Sequence, residues 1–271
     1  METLVATETL FVDSHLHLDL VAKSHRARVT WLRKAGCLPV AWAYGGGGGS
    51  VPKLRKYLKA QRDTVHRLRK TGLAGWFLTG VHPRSIPATL KPEALASLLV
   101  PFLADPLCRG VGGIGLETAD GREKEIFIAQ LELLRTEMGR HLVVGVYTPR
   151  QAKERVTEET LAILSRYTPW SDRIVVDHCS LATLGAVLER GFWAGVTLSP
   201  LKSSAADVIE MLAKFPRALH RVMLNSDSGS EFCEDLQRFV VSQCLPPESL
   251  VRLSRDNALT FYRLPRLQKP A

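Results

Sequence analysis

The sequence predicts an α/β protein of the (β/α)8 barrel class, on three observations. Eight short apolar β-type runs alternate with segments of helical period along 271 residues, which is the arithmetic of eight strand–helix units. The polar residues able to carry chemistry gather at the C-terminal ends of those runs, where a parallel barrel has its mouth. A doubly wound open sheet would carry a glycine-rich phosphate fingerprint after its first strand; this chain has histidines there.

The runs are 9–15, 38–43, 74–80, 109–116, 142–147, 173–177, 192–198 and 221–225. The first contains Phe11, Val12 and Asp13 and leads into His15 and His17. Alternate residues of a strand share a face, so both imidazoles point the same way. Between runs two and three, the segment 53–70 repeats Leu54, Leu58, Val65 and Leu68 at helical spacing. Between four and five, 122–138 carries Ile126, Leu131, Leu133 and Leu134, and 151–166 is the next helical segment. The only low-complexity stretch, Gly45 to Gly49, follows strand two. It lacks the Lys-Ser/Thr of a phosphate loop, so a flexible loop at the mouth is the expectation. No linker or repeat interrupts the pattern, so 1–271 reads as a single barrel domain with a frayed tail from Pro265.

Composition narrows the function classes. The chain is 45% hydrophobic, ample for a large core, yet no apolar run reaches the ~20 residues of a membrane span. The N-terminus lacks the basic and apolar regions of a signal peptide. Five scattered cysteines without a CxxC pair suit a reduced, cytoplasmic chain. The net charge of +9 is concentrated: between Lys23 and Lys70 thirteen Lys or Arg residues face one acid, Asp63, leaving the rest of the chain at −3. Two solvated helix faces outside the barrel are one reading. A surface for nucleic acid or another anionic partner is the other, thinly supported by Trp31 and Tyr57.

The strand ends supply His15 and His17, then His82 after strand three, Glu117 after strand four, Tyr147 at strand five, His178 at strand six and Asp227 after strand eight. One histidine at such a place is ordinary. Several, with an aspartate, at one end of several strands are the donor set of a metal site.

These motifs resemble the TatD-type metal-dependent hydrolases of the amidohydrolase superfamily. The likeness runs through DSHLHLD (13–19), GVHPRSIP (80–87), GGIGLE (112–117), EKEIFIAQLELLRTE (123–137), YTPR (147–150), VDHCS (176–180), GFWAGVTLSPLK (191–202), NSDSGS (225–230) and DNALTFYRLP (256–265). Within that family the chain is most similar to TatD-related proteins of the EboB kind. The resemblance implies phosphodiester hydrolysis with two divalent ions. The HxH pair and the strand-eight Asp would hold one ion, a strand-four Glu would bridge, and histidines of strands five and six would complete the second site. Carried over, it implies His15, His17, His178 and Asp227 as ligands, with His82 near substrate.

Two positions depart from the pattern. The bridging Glu is Gly113 and the strand-five ligand is Tyr147. Gly113 offers no side chain, and a tyrosine ligates only as phenolate, against an ordinary pKa of about 10. Glu117 is a spare carboxylate ~13 Å further along the strand; His141 lies at the far end of strand five. The expectation is a reduced site of His15, His17, His178 and Asp227 holding one Zn, Mn or Mg ion, with Asp227 also as general base and Arg150 and Lys202 as anion contacts. Three functions stay open on the sequence: a single-ion hydrolase of a phosphoester or related bond, a pseudoenzyme that binds without turnover, and a DNase that uses segment 23–70 to hold DNA.

Overall fold

The computed structural model describes residues 10–45, 49–136 and 138–266. The middle of the glycine run and the last five residues of the tail lie outside them. Eight strands form one sheet in sequence order: β1 Phe11–Leu16, β2 Cys37–Ala41, β3 Trp76–Thr79, β4 Cys108–Gly115, β5 Val143–Tyr147, β6 Ile174–Val176, β7 Trp193–Thr197 and β8 Val222–Asn225. Every neighbouring pair is parallel. The circle closes where β8 meets β1: Ser14 Oγ donates to Leu224 O at 2.9 Å, and Asp227 N–H donates to His15 O at 3.0 Å. This is the expected (β/α)8 barrel, with each strand on one of the eight runs.

Helices cover the outside. The basic helix Val51–Lys70 starts at Ser50, whose hydroxyl accepts from Lys53 N–H, and buries Leu54, Leu58, Gln61, Val65 and Leu68 against the barrel. Its lysines and arginines therefore face water, as amphipathic spacing requires. The expected helix over 122–138 is shorter: it runs Gly121–Leu131 and continues as tighter turns, Glu132–Arg135 and Met138–His141. Thr136 ends the regular part, because its hydroxyl and its N–H both turn back to Leu133 O. The expected helix over 151–166 runs Lys153–Leu164 and then tightens through Ser165–Arg173, with Pro169 inside the turn.

The interior of the barrel is packed from below. Val12, Val40, Trp42, Trp76, Leu78, Val143, Val175 and Met223 point inward and meet Phe261 and Tyr262 of the C-terminal helix Asn257–Tyr262. Tyr262 O–H donates to Ser14 O at 2.9 Å, and Trp42 Nε1–H donates to the same carbonyl at 3.0 Å. The C-terminal helix thus plugs the barrel at the end away from the mouth. Trp42 becomes the floor of the upper half, its indole stacked on the His15 ring with centroids 4.1 Å apart.

Candidate metal centre

Two side chains at the mouth sit on strained backbone. His178 and Asp227 have φ of 60° and 51°, the left-handed region. For residues with a Cβ that conformation costs about 1–2 kcal/mol, and such strain gathers where a site needs a side chain aimed against the run of its strand. The Asp13 carboxylate holds the β8 end in place, accepting from Ser226 N–H at 3.0 Å and Ser226 Oγ–H at 2.5 Å. Burial pushes the Asp13 carboxyl up to about 7.

The hydrogen-bond network assigns each imidazole its tautomer. His15 Nδ1–H donates to Asp177 Oδ2, leaving Nε2 with a lone pair. That Nε2 is buried and has no hydrogen-bond partner among the described residues. His17 Nδ1–H donates to the Trp42 carbonyl at 3.2 Å, which again leaves Nε2 as the lone-pair atom. Asn225 Nδ2–H donates to Asp177 Oδ1 at 2.8 Å, so its Oδ1 must be an acceptor; it receives Thr197 O–H at 2.8 Å. Thr197 Oγ1 then accepts from His178 Nδ1–H at 2.7 Å. Asp177 thus orients His15 directly and, through Asn225 and Thr197, His178. Gly195 is required for this arrangement, since a Cβ there would lie 1.9 Å from Asp177 Oδ1.

Asp227 completes the centre. Its Oδ1 lies 3.2 Å from His17 Nε2 and 3.6 Å from His15 Nε2, and its Oδ2 lies 2.5 Å from Lys202 Nζ. The ligand atoms of His15, His17 and Asp227 all fall within 4.8 Å of one another. Burial opposes ionisation of Asp227, but His178, His17, His15 and Lys202 hold its carboxyl well below the usual range. For His17 burial also works against charge, yet the Asp227 carboxylate beside Nε2 raises its pKa. Burial lowers the His15 and His178 pKa values, so both favour the neutral, ligating form.

The donor set fits a divalent ion. The unpartnered buried lone pair on His15 Nε2 converges with His17 Nε2 and an oxygen of Asp227. The Nδ1 atoms are locked by donation to a carboxylate and a carbonyl, the arrangement that orients histidine ligands around metals. His178 lies one step aside: its ring is 5.1 Å from that of His15, and its nitrogens face Lys202 Nζ at 2.9 and 3.3 Å.

The β4–β5 side of the cavity is built differently. β4 breaks register between Gly112 and Ile114, with Gly113 at φ +76°. A Cβ on Gly113 would lie 2.0 Å from the Ala43 carbonyl oxygen, so this backbone excludes any side chain there. Tyr147 packs against His82 and His178, with ring centroids 4.5 and 5.4 Å away. Its O–H donates to Glu117 Oε2 at 2.6 Å and accepts from Arg84 at 2.7 Å, while Arg84 grips both Glu117 oxygens. Burial first, then the bond to Glu117, pushes the Tyr147 phenol well above its ordinary pKa, which fits a space-filling phenol and not a phenolate ligand.

After Gly115, whose φ is +146°, the strand gives way to a turn in which Glu123 accepts from the N–H groups of Glu117, Thr118 and Ala119. The Glu117 carboxylate is taken up by Arg84 and Tyr147. His82 accepts from Arg84 N–H and lines the cavity. Arg150 is exposed at the rim, and His141 is exposed before β5.

The whole cavity is about 810 Å³, walled also by Tyr44, Leu201, Phe232 and Arg238. The basic segment lies on outer helices and touches the loop bordering this mouth, while none of its lysines or arginines lines the cavity itself. From helix Arg26–Lys34 and the residue before it, Arg28 pairs with Glu234 at 2.5 Å and His25 bonds Ser230 O at 2.6 Å, both on the loop after β8 that lines the cavity. Sequence reasoning singled out neither Asp177, Asn225 and Thr197 nor Arg84. Asp177 carried a signal, an acid directly before a strand-end histidine; the others carried none.

The model of the TatD-related DNases matches residues 12–229. No curated protein sequence matches the chain significantly. Among solved structures, a TatD-like protein from Archaeoglobus fulgidus is 26% identical, covers 93% of this chain and 100% of its own, and superposes with a TM-score of 0.76. A TatD homologue from Escherichia coli K12 is 18% identical over 95% and 99% of the two chains, TM-score 0.66. A dihydroxybenzoic acid decarboxylase from Polaromonas, solved with manganese and 2-nitroresorcinol, shares the fold at 10% identity over 94% and 96%, TM-score 0.56. With a family match spanning most of the chain and a barrel that carries the HxH pair and the β8 aspartate at its mouth, this chain belongs to the TatD-related DNase family.

Proposed function

We propose that this protein is a metal-dependent hydrolase of a phosphoester, working with one divalent ion held by His15, His17 and Asp227. One observation carries the reading. The lone pairs of His15 Nε2 and His17 Nε2 converge on Asp227 Oδ1, and the first of them is buried without a partner. A divalent ion in such a site polarises a phosphoryl oxygen and lowers the pKa of water. The chain's own residues supply the rest. Asp227, ionised and on the cavity wall, is the group placed to accept a proton. Asp177 keeps the ligand tautomers fixed, and Trp42 and Tyr147 keep the floor and one wall dry. Second-ion chemistry has no support here, because Gly113 excludes a bridging carboxylate and Tyr147 is engaged with Glu117 and Arg84. The five cysteines are all free, which supports a reduced, cytoplasmic setting.

The nucleic-acid reading of the substrate is favoured by the contact between the basic helix Arg26–Lys34 and the loop after β8 that lines the cavity. DNA binding that weakens steeply with salt is its signature.

The test is metal content after purification without chelator, followed by hydrolysis of bis(4-nitrophenyl) phosphate. One equivalent of ion is expected, lost in His15→Ala and Asp227→Ala. No ion in the wild type under supplemented Mn²⁺ or Zn²⁺ would sink the reading. A bound ion without hydrolysis of diester or DNA would make the protein a binding member of its family.

A further inference from the structure

Asp227 divides its two oxygens between different partners. Oδ1 faces the imidazoles of His15 and His17, while Oδ2 is held by Lys202 Nζ at 2.5 Å. Lys202 also stands over the His178 ring, with Nζ 2.9 Å from Nδ1 and 3.3 Å from Nε2. Thr197 takes the Nδ1 proton of that ring, so the ammonium rests against the ring while its ion pair is made with Asp227 Oδ2. The rest of the ammonium borders the cavity, which Lys202 lines. On the opposite wall Arg84 is matched by both Glu117 oxygens and the Tyr147 hydroxyl, and Arg150 is exposed at the rim, where water screens it. Arg238 at the rim pairs with Glu234 at 3.6 Å.

Resting on the single-ion reading above, we propose that Lys202 is a fixed cation beside the ion site, which binds an anionic phosphoryl oxygen of the substrate while leaving the ion's ligands free. The geometry gives this its content. A lysine on Oδ1 would block the histidine pair; a lysine on Oδ2 is tethered next to it. Its partly buried position, with the side chain 17% exposed, keeps water from screening the contact as it would at the rim. The site then discriminates by charge: a phosphomonoester or diester presents an anionic oxygen to Nζ, whereas a neutral ester or amide offers the ammonium no anion besides Asp227. Lys202 is a substrate-binding residue in this scheme, and Asp227 and His178 position it.

The experiment uses Mn²⁺-loaded full-length protein and inorganic phosphate as the probe, with wild type, Lys202→Met, Lys202→Gln and Lys202→Arg. Metal stoichiometry is read by elemental analysis and phosphate affinity by calorimetry. Wild type and all three variants are expected to hold one equivalent of Mn²⁺. The phosphate dissociation constant should rise about tenfold to a hundredfold in the Met and Gln variants, the range for losing one charge-assisted hydrogen bond. The Arg variant should recover part of that loss. Unchanged phosphate affinity in both neutral variants overturns the inference and leaves the metal site standing. So does Mn²⁺ uptake by the Met and Gln variants but not by the wild type, for then the lysine competes with the ion. A wild type and variants all without Mn²⁺ remove the single-ion reading itself, and this inference with it. Should the Met variant fail to fold, the Gln and Arg variants decide the question alone.

Discussion

Installing a glutamate at Gly113 restores the acidic residue of the family's strand-four motif, and the structure says that it will not rebuild a second ion site. The obstacle is the backbone. Gly113 has φ +76°, and a Cβ on it would stand 2.0 Å from the Ala43 carbonyl oxygen, where a carbon–oxygen contact normally needs roughly 3.3 Å. More than an ångström of retreat is required, and Ala43 is fully buried. A non-glycine residue in left-handed backbone costs about 1–2 kcal/mol, and forced backbone shifts in a packed core cost about 1–3 kcal/mol. The sum is about 2–5 kcal/mol; at its middle, about 3.5 kcal/mol, the melting temperature of a chain this size falls by roughly 7–14 °C. The push also lands next to Trp42, whose carbonyl fixes His17 and whose ring supports His15. Gly113→Glu combined with Tyr147→His is therefore expected to hold no more than one equivalent of metal and to bind it more weakly than wild type. The assays are the urea midpoint at unchanged slope and metal content by elemental analysis, with Gly113→Ala reporting the backbone cost without the carboxylate. A Gly113→Ala variant as stable as wild type, or a double variant with two bound ions, would refute the reasoning.

Three other outcomes follow from the same geometry. Asp177→Asn removes the carboxylate that holds His15 Nδ1–H and should weaken metal affinity about tenfold to a hundredfold while the circular dichroism spectrum stays unchanged; unaltered affinity would mean the tautomer is held by something else. Tyr147→Phe should cost about 1.5–3 kcal/mol for its lost hydrogen bonds to the charged Glu117 and Arg84 and leave metal content untouched, and a drop in bound metal would instead make the phenol a ligand. Arg28→Ala severs the pair with Glu234 and the packing of the guanidinium on Phe232, 5.1 Å from its centroid, so the loop after β8 should become more open to limited proteolysis. Equal cleavage rates in the two proteins would count against that anchoring.

Much of the barrel was legible in the chain because its signals are local. A strand buried on both sides is a short apolar run, and an outer helix is a stripe at helical spacing; neither needs knowledge of what lies opposite. The histidine pair was legible for the same reason, since His15 and His17 are placed by one strand end. The helix ends were less so: the tightening at Thr136 depends on where its hydroxyl turns. The partners of Glu117 were not legible, because the turn past Gly115 that Glu123 stabilises and the contact with Arg84 come only with folding.

The residues that surround the candidate ligands belong to contacts between distant segments. Asp177 reaches His15 across 162 positions of sequence and Asn225 reaches Asp177 across 48, and no local pattern encodes such pairs. From its amino acids this chain announces an eight-unit barrel, a donor set for a cation and the loss of two family ligands, all of which are identities at given places along strands. Closure of the barrel determined the rest. It showed that position 113 cannot accept a side chain against Ala43, that Tyr147 is spoken for by Glu117 and Arg84, and that Lys202 stands on the far oxygen of Asp227. Those facts are distances between atoms that only folding brings together.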